Sequence, residues 1–210
     1  MSCAGEAIML SLRMARSAPQ PPQSSESFLE GKLLIAMPGM PDPRFEKSVI
    51  FMCAHSAKGA MGLIINKPID GLSFHELVLK LGIGMTVDRA NAPILFGGPM
   101  QMGRGFVLHS AEYASAEATL PITPEISLTA TVDILRAISE GRGPEKAILA
   151  LGYAGWDMGQ IETEILANGW IHCDADARLV FDTDYESRWQ TALAKLGADI
   201  SGLSAEAGRA

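Results

Sequence analysis

The chain lacks three things that would each have placed it at once. It lacks an excess of basic charge: 17 Lys and Arg stand against 24 Asp and Glu, a formal net charge of -7 over 210 residues. No run of Lys and Arg builds a local basic face, so direct contact with nucleic acid is not expected. It lacks paired cysteines. Cys3, Cys53 and Cys173 are odd in number and widely scattered. That pattern excludes a secreted disulfide framework and reads as free thiols in a reducing cytoplasm. It lacks any apolar run near the roughly 18–20 residues that cross a bilayer, so no membrane is expected as a partner. His55, His75, His109 and His172, taken with Cys53 and Cys173, match no structural zinc spacing. Neither a phosphate-binding Walker loop nor a dinucleotide fingerprint is present, so neither metal nor cofactor is expected.

What is there fits one globular domain. Hydrophobic residues make up 48% and charged residues 20%, enough for a core under a polar surface. Residues 1–27 stand apart: a short apolar run at 7–12 precedes Arg13 and Arg16, and Pro19, Pro21 and Pro22 follow among Ser and Gln. A signal peptide carries its charge before the apolar run. Residues 1–27 therefore read as a flexible tail, 28–200 as a single domain, and 201–210 as a small polar C-terminal tail.

Strands are expected at 33–37, 48–54, 61–66, 94–98, 106–110, 146–153, 170–173 and 179–181. The runs at 48–54 and 61–66 are apolar throughout, which predicts a hairpin covered on both faces. A turn holding Pro99, Gly103 and Gly105 joins the next two strands, and Pro121 and Pro124 confine any strand between 118 and 128 to short or edge pieces. Ser73 and Glu76 form a capping-box pattern for a helix to Leu81. Val132, Leu135 and Ile138 stripe a second helix, and Met158, Ile161, Ile165 and Leu166 a third. A second capping box, Thr183 to Glu186, opens a last helix that buries Tyr185, Trp189, Leu193 and Leu196. This order predicts an α+β domain with a mixed sheet.

The most informative stretch is Leu151-Gly-Tyr-Ala-Gly-Trp-Asp-Met-Gly-Gln-Ile-Glu-Thr-Glu-Ile165. It reads as a strand end, a tight turn at Gly152 and Gly155, and a helix opened by Trp156 with Gln160 and Glu164 at helical spacing. Tyr153 and Trp156 either edge a binding surface or wedge the helix against the sheet. Gly97 and Gly98 permit close approach, by a ligand or by another segment. Arg104 is either an anion ligand or a solvated turn residue. Asn66 reads as a turn former. Cys53 and His55 share a strand face, so the thiol is open to activation by the imidazole; the plainer reading is a buried small side chain and a histidine at a hairpin loop.

The ordered motifs resemble the YqgE/AlgH family of bacterial proteins. The resemblance rests on Gly31-Lys-Leu-Leu-Ile-Ala-Met-Pro38, Asp42-Pro-Arg-Phe-Glu-Lys-Ser-Val49, His55 and Gly59-Ala-Met-Gly-Leu-Ile-Ile-Asn-Lys-Pro68. Gly97-Gly-Pro99, Val107-Leu-His109 and Gly152-Tyr-Ala-Gly-Trp156, with Gln160, Glu164, Asn168 and Trp170, complete it. It implies an α+β fold with a bent, partly barrel-like sheet. It supplies no catalytic residues. Some members are labelled transcriptional regulators, a label that no helix-turn-helix here supports.

The expectation is a cytoplasmic binding or regulatory protein without catalysis. It would offer His55, Asn66, Gly97, Gly98, Arg104, Tyr153, Trp156 and Gln160 to a small ligand or a protein partner. The alternatives are a thiol-dependent enzyme centred on Cys53 and His55, and a DNA-associated regulator.

Overall fold

A computed structural model of the chain describes residues 28–84, 92–115 and 118–197. The expected tails at 1–27 and 201–210, and Cys3 with them, lie outside the described residues. The first strands are β1 (Lys32–Ala36), β2 (Val49–Ser56), β3 (Gly59–Ile64) and β4 (Pro68–Ser73), followed by helix α1 (Phe74–Lys80). Strands β5 (Pro93–Phe96), β6 (Met100–Ser110), β7 (Thr119–Pro121) and β8 (Ile126–Thr129) lead to α2 (Val132–Ser139). Then come β9 (Ala147–Asp157), α3 (Gln160–Leu166), β10 (Trp170–Asp174), a π-helical turn (Arg178–Asp182) and α4 (Tyr185–Lys195).

The sheet runs β10-β1-β2-β3-β9-β6-β8-β7, with every neighbour antiparallel. β5 lies parallel to β9 and antiparallel to β4, so the sheet is mixed. It curls into a half-barrel, and the fold is α+β. β1, β2 and β3 bury side chains on both faces, which is why they read as unbroken apolar runs. One face carries Leu33, Phe51 and Leu63 against Leu179, Trp189 and Leu193 of the C-terminal helical segments. The other carries Leu34, Ile50 and Ile64 with Trp156, Trp170 and Ile161 of α3. A third cluster packs Phe74 and Val78 of α1 and Ile134 and Ile138 of α2 on β5, β6 and β9.

Several expectations change. β9 does not end at Tyr153 with Trp156 opening a helix; it continues to Asp157, because its backbone pairs with β3 from Gly59 to Gly62. The helix starts at Gln160, after Gly159 at φ 72°. Within its expected inward stripe, Ile161 is buried, but Met158 and Leu166 are 76% and 84% exposed. β6 begins at Met100, so Gly103 and Gly105 belong to the strand and not to a turn. Residues 179–181 form part of the π-helical turn instead of a strand; Asp176 holds the Leu179 and Val180 N–H groups. The capping box on α1 is present, whereas α4 has Asp184 at its N-cap and no side-chain cap bond. Thr183 spends its hydroxyl on the Arg178 carbonyl instead.

Candidate functional site

A crossing of two backbones builds one edge of the site. β9 bends at Gly152 (φ 72°), pairing with β5 and β6 up to Leu151, with Met100 of β6 at Tyr153, and with β3 from Ala154 to Asp157. The chain leaving β5 passes directly over that bend. A Cβ on Gly97 would stand 2.3 Å from the Gly152 carbonyl oxygen, and one on Gly98 2.1 Å from the Tyr153 carbonyl carbon. Only bare backbone fits there. The two glycines therefore serve the crossing, and the crossing carries Pro99 and Met100 to the rim of a groove.

That groove is open and has a volume of about 550 Å³. Met40, Pro41, Asp42, Arg44 and Phe45 form one wall; Gly155, Trp156, Gln160 and Glu164 form the other, with Pro99, Met100 and Trp170 between. Its organising group is the Glu164 carboxylate. Oε2 accepts from the indole N–H of Trp156 at 3.0 Å and from that of Trp170 at 2.7 Å. Oε1 accepts from Gln160 Nε2 at 2.8 Å, and Gln160 Oε1 accepts from the Asp157 N–H at 3.0 Å. One helical turn thus fixes two indoles whose rings meet edge to face at 6.0 Å. Phe45 meets Trp170 the same way at 5.6 Å.

The opposite wall is a proline-punctuated strap, residues 38–48, pinned from outside. Asn66 accepts from the Val49 N–H at 2.8 Å and donates to the Lys47 carbonyl at 2.8 Å. Lys67 donates to the Arg44 carbonyl at 2.8 Å. The Arg44 guanidinium grips Asp42 through both carboxylate oxygens, at 3.0 Å and 2.6 Å. This contact holds the Asp42 carboxyl below the usual carboxylate range.

The expected site residues separate. Trp156 and Gln160 line the groove. Gly97 and Gly98 stand beneath its edge without lining it. Asn66 pins the strap and lines a separate, smaller hollow of about 260 Å³ with Lys47, Tyr185 and Trp189. Tyr153 is buried, edge to face with Phe106 at 5.9 Å, and burial pushes its phenol up. Arg104 lies over the Phe106 ring at 5.2 Å. His55 sits behind α3: Nδ1 accepts from the Leu29 N–H at 3.0 Å, which leaves the Nε2 proton for Glu162 at 2.9 Å. Both imidazole nitrogens are thus engaged away from Cys53. Cys53 is in the core, its thiol facing the Phe51 carbonyl, and burial pushes its pKa far up. Among the described residues no three His, Cys, Asp or Glu side chains cluster as a metal site, and no helix is long and apolar enough to cross a membrane.

Sequence reasoning missed the strap as a wall. Asp42, Arg44 and Phe45 are separated from Trp170 by most of the chain, so no local period joins them. The available signal was the Asp-x-Arg spacing, which suits a local bidentate grip, directly followed by an aromatic residue.

Comparison with known proteins bears on the whole fold. The AlgH-like family profile matches residues 33–201. A UPF0301 protein from Rhodopseudomonas palustris (strain HaA2) is 55% identical over 196 residues, covering 90% of each chain. A second, from Bradyrhizobium diazoefficiens, is 54% identical over 202 residues and covers 93% of this chain and 94% of its own. The solution structure of the AlgH protein from Pseudomonas aeruginosa is similar with a TM-score of 0.72 and 42% identity, over 90% of this chain and 100% of that one. A crystal structure from Corynebacterium diphtheriae, 18% identical with a TM-score of 0.65 over 86% of this chain and 90% of its own, shares the fold.

Proposed function

The chain belongs to the AlgH-like family, and on that premise we propose that it is a non-catalytic binding protein of the bacterial cytoplasm. Its working surface is the groove between the strap and α3, which holds a small ligand or a segment of a partner protein. One observation carries this reading: a carboxylate and an amide at the edge of an open groove are bonded to each other and to two buried indoles behind them. Polar groups that bond each other in this way make a preorganised binding surface. They are poorly placed to exchange protons with a substrate. Cys53 lies in the core on the other face of the sheet, where burial pushes its pKa far up and weighs against thiolate chemistry. Regulation follows if the occupant is a partner protein; the acidic charge of the chain argues against DNA as that occupant.

The test is complementation of a chromosomal deletion. Met100→Arg places a bulky charge at the groove rim from a side that is already 37% exposed, so the fold is retained. Gln160→Ala removes one brace of the wall. Both variants are expected to melt near the parent temperature and to fail to rescue. Full rescue by both, with folding intact, would remove the groove from consideration.

A further inference from the structure

Taking the groove as the binding surface, we infer that it selects an organic cation, a guanidinium or ammonium group on an apolar stem, with Glu164 as its counter-ion. The inference rests on that binding reading and adds the ligand's charge. An ionised carboxylate has about four acceptor positions. Three of those of Glu164 are filled, all by neutral N–H donors: two indoles on Oε2 and the Gln160 amide on Oε1. Hydrogen bonds of this kind spread the negative charge without cancelling it. Oε2 lies on the partly buried side with the indoles and Oε1 on the exposed side, and Glu164 lines the groove. The free acceptor position is therefore on Oε1, the exposed oxygen of a residue that lines the groove.

The surroundings agree in sign. The groove holds two carboxylates, Asp42 and Glu164, and one cation, Arg44. Arg44 is already committed to Asp42 through both oxygens and so leaves Glu164 uncompensated. Phe45 already carries the Arg44 guanidinium over its ring at 5.8 Å, which shows the sign this aromatic side accepts, while Trp156 and Trp170 are buried behind Glu164. Met40 and Met100 supply flexible apolar walls for a stem. An anion would meet an unpaired carboxylate; a neutral apolar ligand would leave the fourth acceptor position dry. A cation with an alkyl stem satisfies both, by a charge-assisted bond to Oε1.

Three probes and two variants test this. The intact protein, labelled with 15N, is titrated with butylguanidinium, with acetyl-Ala-Arg-Ala-amide and with the neutral acetyl-Ala-norleucine-Ala-amide while the three indole N–H signals are followed. The cationic probes are expected to move Trp156 and Trp170 and to leave Trp189, which donates to the Ala36 carbonyl elsewhere in the core. Glu164→Gln should weaken them by about tenfold, the loss of one charged hydrogen bond. Arg44→Gln frees a second carboxylate from an exposed position and should tighten them several-fold. Binding by butylguanidinium points to a small amine or guanidine as the source; binding by the peptide alone points to a side chain of a partner. Equal binding of the neutral peptide, unchanged in both variants, overturns the charge assignment and leaves the groove as a binding surface. No displacement by any probe also overturns it, and the binding reading then depends on the Met100→Arg complementation alone.

Discussion

His109 shows how a histidine in a family motif can be wholly structural. It is fully buried; its Nδ1–H donates to the Ser110 carbonyl at 2.9 Å, which leaves Nε2 to accept from the Thr129 hydroxyl at 2.9 Å. Thr129 in turn meets Thr119 at 2.8 Å, tying the edge strand β7 to the sheet. Burial holds the imidazole pKa below its ordinary 6.5. The unfolded chain therefore takes up this proton first as pH falls. The stability His109 supports is complete above about pH 6.5 and is lost as pH drops toward its lower folded value. Urea midpoints measured from pH 7.5 down to 5 should decline in the parent and decline less in His109→Gln, whatever the variant's absolute stability. Equal slopes would place the titration elsewhere. At this scale the sequence was only half legible. Helical spacing joined Gln160 to Glu164 but wrongly put Trp156 on the same helix, since Trp156 stands in β9; Gly97 and Gly98 were ambiguous, because a bare backbone fits a ligand and another strand equally well.

At the scale of elements, the two capping-box patterns look alike in sequence and differ in structure. Ser73 and Glu76 close both bonds of the box: Glu76 Oε2 accepts from the Ser73 N–H at 2.8 Å, and the Ser73 hydroxyl accepts from the Glu76 N–H at 3.3 Å. Thr183 is turned away by the π-helical turn before it. Ser73→Ala should cost about 1 kcal/mol in denaturant unfolding, and Thr183→Ala about half that or less. A larger loss at Thr183 would mean that its hydroxyl caps α4 after all. The same π-helical turn accounts for Leu179–Phe181, which read as a strand. A short apolar run carries no period that distinguishes a buried strand from a buried turn. The extension of β9 past Gly155 was hidden in the same way, since pairing with β3 outweighs the local preference of two glycines for a turn.

For the molecule as a whole, the curled sheet brings a proline strap from near the start of the chain against a helix from near its end. The α+β class, the mixed sheet and its bent form were all legible, the last through family resemblance. The groove was not, because closing it depends on distant contacts that no local pattern announces. A single carboxylate, Glu164, gathers two indoles into the wall behind that groove. The most direct measurement is the pair of 15N–1H indole spectra of the parent and of Glu164→Ala. Two of the three indole N–H signals should move and exchange faster with solvent, while Trp189 stays in place. Displacement of only one signal, or of all three alike, would contradict the wall and the binding surface built on it.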